Sequence, residues 1–331
     1  MTGPFKPARI QGAAIEVEAP GRLHMGFLDI SGSSGRRFGS LGVGLKEIVT
    51  RIRLRPADRL EVSGPDAGRA QQAAKALSMS LGRELPASIE IVDAIPHHAG
   101  LGSGTQMALA VGAGLAALHG LDLSLEAIAT ATHRGARSGI GIGAFSEGGL
   151  ILDGGRGPKT LVPPVIARLE MPPAWRFLIL LDRHHQGLHG SPEVTAFSAL
   201  PRFPEDAAAR LCHRLLMQGL PAVLEQQLQE FGDVVSELQR AVGDHFAPSQ
   251  GGRFASQDVA DTLSFLETQG AVGVGQSSWG PTGFCMVADE QSALALKAAC
   301  EKALPQARKL TIHIGTPRRQ GAIIKTQDPL V

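Results

Sequence analysis

The densest chemistry in this 331-residue sequence lies in one run, Pro96-His97-His98-Ala99-Gly100-Leu101-Gly102-Ser103-Gly104-Thr105-Gln106. Glycines let a backbone approach an anion closely, and unpaired N–H groups at a helix start carry partial positive charge. The run therefore suits a phosphate or diphosphate, although a tight turn with no ligand uses glycines in the same way. Ser103 and Gln106 have the spacing of a capping box at the start of the following helix. Two further clusters mix glycine with hydroxyls: Arg134-Gly135-Ala136-Arg137-Ser138-Gly139-Ile140-Gly141-Ile142-Gly143 and Gly273-Val274-Gly275-Gln276-Ser277-Ser278-Trp279-Gly280-Pro281. Together with Ala19-Pro20-Gly21-Arg22 they read as loops converging on one site. No GxxxxGK followed by Ser or Thr occurs, which excludes a Walker A loop. GLGSGT likewise lacks the GxGxxG pattern of a dinucleotide site.

Other reactive residue types are less ordered. Cys212, Cys285 and Cys300 are odd in number and far apart, which supports neither a disulfide framework nor a CxxC metal or redox motif. His97-His98 and His184-His185 with His189 lack zinc spacing and read as loop or substrate-proximal histidines. No GxSxG elbow is present, so covalent hydrolase chemistry has no support.

The elements that must position these residues follow from periodicity. Ile15–Ala19 and Thr50–Leu54 alternate as strands, the second aligning Arg51, Arg53 and Arg55 on a solvated face. Helices are expected over 70–81, closed by Gly82, and over the stretch holding Met107, Val111, Gly114, Leu115 and Leu118. Ser88–Ile95 reads as the strand feeding the glycine run. The proline-rich stretch 156–173 is a candidate crossing between domains that also has room for an edge strand. Beyond it, Trp175–Leu181 suits a buried strand, with helices over 206–217, 221–242, 256–268 and 291–303 and strands over 283–288 and 309–314. This mixture without a steady βαβ beat indicates an α+β fold in both halves.

Composition narrows the function classes. Lys+Arg 32 against Asp+Glu 31 leaves a formal net charge of +1, so no basic excess marks a nucleic-acid binder. Glycine is 41 of the 331 residues and tyrosine is absent, which removes one common acid/base type. The longest purely apolar stretch, Ala108–Leu118, is too short for a bilayer, which needs ~20 residues. The N-terminus lacks a signal-peptide core, and the expected location is the cytoplasm.

Three strings, in this order, resemble the GHMP kinase superfamily: APGRLHMGFLDI its first motif, PHHAGLGSGTQ its phosphate loop, GVGQSSWGPTGF its third. Within it, RSGIGIGAFSEGGLILDGG and GQSSWGP are most similar to the β-ribofuranosylaminobenzene 5′-phosphate synthase family, over roughly Ile15 to Ile324. The resemblance implies an N-terminal phosphate-loop domain over 1–165 and a C-terminal ferredoxin-like α/β sandwich over 166–331. It departs from the kinases where Arg137-Ser138-Gly139-Ile140-Gly141 puts glycine in place of the acceptor-activating aspartate of mevalonate-type enzymes.

The chemistry so implied is decarboxylating phosphoribosyl transfer from phosphoribosyl diphosphate to 4-aminobenzoate or 4-hydroxybenzoate. It yields a C-riboside, CO2 and diphosphate, in methanopterin-type coenzyme biosynthesis. The resemblance assigns diphosphate and phosphoribosyl binding to Gly100, Leu101, Gly102, Ser103, Gly104, Thr105 and Gln106, with Ser138, Gln276, Ser277 and Ser278. It assigns orientation and catalysis to Arg22, His24 and Arg137, His24 either relaying a proton from the aryl substituent or filling a polar core position. Trp279 is expected to wall the aryl pocket, Mg²⁺ to neutralise the diphosphate with Asp29 as candidate ligand, and the enzyme to be a homodimer. An ATP-dependent small-molecule kinase and a non-catalytic anion-binding protein stay open on the residues alone.

Overall fold

The computed structural model describes residues 14–185 and 200–327. Two long antiparallel strands, β1 (Ala14–Asp29) and β2 (Phe38–Arg55), form its spine. Ala19-Pro20-Gly21-Arg22 is thus not a loop but part of β1. Its ladder slips between Pro20 and Arg22 and again between His24 and Gly26, two bulges with Arg22 and His24 between them. Pro20 has no N–H to give a ladder, and Gly26 lies at φ +131°, so each irregularity has a local cause.

The first sheet continues through β3 (Glu61–Ser63) and β4 (Ser88–Asp93) on one side, and through β5 (Leu150–Asp153) and β6 (Val165–Leu169) beyond β2. On the solvated face Arg51 pairs with Glu18 and Asp93, and Arg53 with Glu16. Helix α1 (Ala67–Leu81) ends as expected at Gly82, in the left-handed conformation. Helix α2 (Ser103–His119) is buried on every face from Gln106 to Ala117, the pattern of a central helix. Gly114 makes this possible, since a Cβ there would stand 2.5 Å from Leu54. α3 (Leu125–Ala131) follows. The second glycine cluster then divides: 134–139 is loop, and the rest opens α4 (Ile140–Ser146).

The second sheet comprises β7 (Arg176–Leu181), β8 (Val272–Gln276), β9 (Gly283–Val287) and β10 (Thr311–Gly315), in the order β10-β7-β9-β8 and antiparallel throughout. Numbered within this unit the order is 4-1-3-2, the ferredoxin-like arrangement. Between β7 and β8 run α5 (Glu205–Arg214), a π-helical turn at Leu215–Gly219, α6 (Leu220–Leu224), α7 (Leu228–Gln250) and α8 (Gln257–Thr268). The single helix expected over 221–242 is interrupted because Gln226 turns left-handed at φ +60°. Its apolar spacing resumes in phase beyond the break, so periodicity does not reveal it. α9 (Glu290–Ala303) precedes β10.

The closing strand β11 (Ile323–Gln327) returns to the first sheet and pairs with β1. β6 straddles the expected 165/166 division and also belongs to the first sheet. One apolar core joins the two units, including Leu23, Met25 and Val43 of the long strands and Phe177, Phe231 and Leu238 of the second unit.

Asp153 fastens the first sheet to the segment leading into α4. Its carboxylate accepts from the backbone N–H of Ser40 (3.2 Å), Gly139 (2.8 Å) and Gly155 (2.9 Å) and from Ser138 Oγ (3.1 Å). Burial pushes its pKa up, against the pull of those donors. Asp153→Ala leaves several buried donors unpaired, and at ~1–3 kcal/mol for each the expected loss is at least about 3 kcal/mol, measured by urea unfolding.

Candidate active site

Three of the four motif segments meet through one hydroxyl. Ser277, fully buried, donates its Oγ–H to the Gly100 carbonyl at 2.7 Å and accepts the His24 backbone N–H at 2.9 Å. Beside it the Arg22 N–H donates to the Leu101 carbonyl at 3.0 Å. The Arg22 guanidinium donates to the Gly100 carbonyl and lies along Gly102. A Cβ at Gly100 would overlap the Ser277 carbonyl oxygen, and one at Gly280 would stand 2.6 Å from that of Ala99. These two glycines thus seat the loops on each other. The second cluster joins by helix packing: Gln106 Nε2 donates to the Gly141 carbonyl at 2.8 Å, and a Cβ at Gly141 would stand 3.0 Å from Thr105.

No capping box forms at Ser103. α2 begins after Gly102, at φ +84°, with no side chain capping it. Three arginines gather there instead. Arg22 flanks Gly102, Arg69 Nη1 stands 3.5 Å from Ser103 Oγ, and a Cβ on Gly104 would lie 3.1 Å from Arg134 Nη1. Among the described residues no carboxylate pairs with Arg22 or Arg134, and Arg69 meets only Asp66, at 3.8 Å. Burial pulls Arg22 down to about 10; burial, and then Arg69, lowers Arg134. Guanidinium groups crowded at the positive end of a helix favour a multivalent anion. Arg69 and Arg134 were not among the sequence candidates. Arg134 opens the second glycine cluster, three residues ahead of Arg137, whereas Arg69 has no local signal. Arg137 lies half-buried in the segment leading into α4.

Next to this cluster is a narrow pocket whose lining includes His24, Phe27, Phe246, Gln276 and Ser278. Gln239, also missed, fixes its back wall: Nε2 donates to the Met25 carbonyl at 2.6 Å and Oε1 accepts the Gln276 N–H at 2.8 Å. The Gln276 side chain is engaged with Ala255, Gln250 and the Ser278 carbonyl, and Ser138 Oγ with Asp153. Trp279 does not wall the pocket. It is buried in the core and stacks on Phe246 at 4.2 Å, so that Phe246 provides the aromatic surface.

His24 is 2% exposed, and burial, then Arg22, pulls its pKa down to about 3. It is neutral at physiological pH, with one ring nitrogen a donor and the other an acceptor. Asp29 is a turn aspartate: Oδ1 accepts from the N–H groups of Ser31 and Gly32, and Oδ2 from the N–H and Oγ of Ser33. Among the described residues no three His, Cys, Asp or Glu side chains stand together to hold a metal. His97 faces Asp66 at 3.3 Å, His98 faces Arg69 at 3.1 Å and His185 faces Asp182 at 3.7 Å. The His184 backbone N–H donates to Asp182, and His189 lies outside the described residues. No described helix is long and apolar enough to cross a membrane.

Comparison with known proteins shows the family and the fold. Residues 69–149 match the GHMP kinases N terminal domain and residues 220–306 the GHMP kinases C terminal domain. A β-ribofuranosylphenol 5′-phosphate synthase of Archaeoglobus fulgidus is 33% identical over 282 residues, 81% of this chain and 86% of the relative. Its namesake in Methanothermobacter thermautotrophicus is 30% identical over 298 residues, 83% and 89% of the two chains. Among solved structures, L. major mevalonate kinase superposes with a TM-score of 0.67 at 16% identity, covering 97% of this chain and all of that one. At that identity the likeness is one of fold.

A charge-assisted hydrogen bond is worth ~1.5–3 kcal/mol, or roughly 10- to 100-fold in affinity. Arg22→Ala and Arg134→Ala are each expected to weaken inorganic diphosphate binding by at least about tenfold in calorimetry. An unchanged dissociation constant in both would remove the arginine cluster from the anion site.

Proposed function

The chain belongs to the β-ribofuranosylphenol 5′-phosphate synthase family of the GHMP kinases, and from that membership we propose its reaction. It transfers phosphoribosyl from phosphoribosyl diphosphate to 4-hydroxybenzoate or 4-aminobenzoate with loss of CO2. The observation that carries this reading is the junction at Ser277, where an arginine-ringed helix start meets an aromatic-walled pocket. The helix start suits a diphosphate, and the rings of Phe27 and Phe246 offer an aryl acid an apolar face.

In the proposed reaction the bond from ribose C1 to the diphosphate oxygen breaks, and the oxygen leaves with the electron pair. Arg22, Arg69, Arg134 and the α2 N-terminus receive its growing charge. The ring carbon bearing the carboxylate forms the new bond to C1. The ring–carboxylate bond then breaks, its electrons restore the aromatic ring, and CO2 departs. Since CO2 leaves where a proton otherwise would, no base has to take a proton from the ring carbon. A neutral His24 beside the pocket is compatible with that economy, as is an Asp153 committed to backbone donors.

The kinase alternative finds less support. Thr105 and Gln106 occupy the space around Gly141, the position of the missing aspartate. Among the described residues no three metal-ligating side chains stand together, and no step runs through a resident metal. Mg²⁺ enters this reading as the counter-ion that arrives with phosphoribosyl diphosphate. Methanopterin-type coenzyme biosynthesis, a cytoplasmic location and a homodimeric state complete the proposal.

Incubation with phosphoribosyl diphosphate and either benzoate, in Mg²⁺ without ATP, is expected to release equimolar CO2 and diphosphate. ATP consumption with a small alcohol and no CO2 would overturn the reading.

A further inference from the structure

Among the described residues, six that carry a side chain adopt the left-handed backbone: Phe38, Asp66, His98, His133, Gln226 and Ser278. That conformation is uncommon for a residue with a Cβ and persists where the surroundings hold a group in place. Two of the six converge on one guanidinium. Asp66, at φ +63°, directly precedes α1, and His98, at φ +51°, stands just ahead of the first glycine of the phosphate loop. Asp66 gives α1 no side-chain cap, although aspartate is a preferred capping residue. Its carboxylate lies 3.8 Å from Arg69 Nε and 3.3 Å from His97 Nδ1. His98 Nε2 lies 3.1 Å from Arg69 Nη2. Arginine has only donors, so the imidazole nitrogen is the acceptor. The third guanidinium nitrogen, Nη1, stands 3.5 Å from Ser103 Oγ, on the first residue of α2.

Such a mounting suits an anion site better than an ion pair would. A carboxylate in hydrogen-bond contact would neutralise the charge meant for a ligand. An imidazole nitrogen orients the planar fork and leaves that charge in full. Asp66 stays beyond hydrogen-bond distance from Nε and divides its charge with His97. An unheld arginine samples many rotamers and has to surrender them on gripping a ligand. The left-handed turn at His98 is what carries a ring from the phosphate loop onto a side chain of α1, 29 residues earlier in sequence. We propose that His98 is a positioning residue for the transfer reaction: by accepting from Nη2 it aims Arg69 Nη1 at the diphosphate on the start of α2, an assignment that rests on the synthase reading for the identity of that anion. Arg69 touches the anion, and His98 acts through Arg69.

The test is calorimetry with inorganic diphosphate on the full chain, in wild type, His98→Gly, Arg69→Ala and the double variant, each with a urea unfolding curve. Arg69→Ala is expected to weaken binding by at least about tenfold, the loss of one charge-assisted hydrogen bond. His98→Gly, which loses the acceptor, is expected to weaken it by at least about threefold in wild type and not at all in the Arg69→Ala background. Its unfolding midpoint is expected not to fall, because glycine takes φ +51° freely. His98→Gln, whose amide oxygen replaces Nε2 as acceptor, is expected to recover most of the affinity. His98→Asn, which tolerates the left-handed backbone but falls short of Arg69, takes the place of the glycine variant if that one does not fold. An unchanged dissociation constant in His98→Gly, whatever its unfolding midpoint, overturns the assignment, as does an unchanged one in Arg69→Ala. An equal loss from His98→Gly with and without Arg69 overturns it too, since His98 would then act on the anion directly. So does a His98→Gln variant that binds as weakly as His98→Gly. Failure to release CO2 from either benzoate, with the binding results as expected, would instead overturn the synthase reading and leave the positioning of Arg69 intact.

Discussion

A single serine hydroxyl constrains the architecture of the site. Ser277 has one proton to give and lone pairs to accept with; it spends the proton on the Gly100 carbonyl and a lone pair on the His24 N–H. The partners lie 177 and 253 residues away in sequence, so this group fixes the first strand, the phosphate loop and the β8–β9 turn relative to one another. Its complete burial matters, because in a water-poor interior an unpaired carbonyl or N–H costs more than the bond itself contributes. The contact tolerates no side chain at Gly100, whose Cβ would meet the Ser277 carbonyl oxygen. The paired bulges of β1 then determine what is displayed beside it, placing Arg22 toward the helix start and His24 toward the pocket.

With the loops fixed, the electrostatics of the site follow. A chain of formal net charge +1 nonetheless gathers three guanidinium groups at the first turn of one buried helix. The pKa values of Arg22 and Arg134 are lowered because burial disfavours positive charge there. In the proposed reaction a diphosphate offsets that cost. The carboxylates nearest the site are used for architecture: Asp29 closes a turn, Asp153 anchors α4 and Asp66 holds His97. Such a site is suited to stabilising a departing anion rather than to moving protons, which fits chemistry in which carbon dioxide is the group expelled from the ring.

Much of this was legible in the sequence. The order of glycine clusters, the α+β class and the convergence of the first motif, phosphate loop and third motif all stand in the structure. What sequence could not weigh was which glycines serve ligands and which serve packing. Gly100 and Gly280 look like anion-cradle glycines in the chain, but in the fold they let two loops touch. Trp279 was expected in the pocket because it stands in the most selective motif; its burial behind Phe246 depends on a helix 33 positions upstream. Arg69 was invisible for the same reason, being brought to Ser103 only by the packing of α1 on α2. His24 lines the pocket, yet its protonation depends on burial and on Arg22, neither of which spacing can show.

The return of β11 to the first sheet bears on how the molecule is made. β1 has β2 on one flank, and on the other it pairs with a strand that leaves the ribosome more than 290 residues later, Ala14 lying opposite Gln327. A nascent chain that has completed residues 14–169 holds almost every strand of its first sheet, but β1 still has one open edge. An open edge is a template for pairing with another chain. Until synthesis approaches its end that edge has to be left vacant or shielded, so the first half of the polypeptide is most exposed to misassembly while the second half is still being translated. The same closure sets the chain's two described ends side by side, making this molecule topologically nearer to a ring than to two beads on a string.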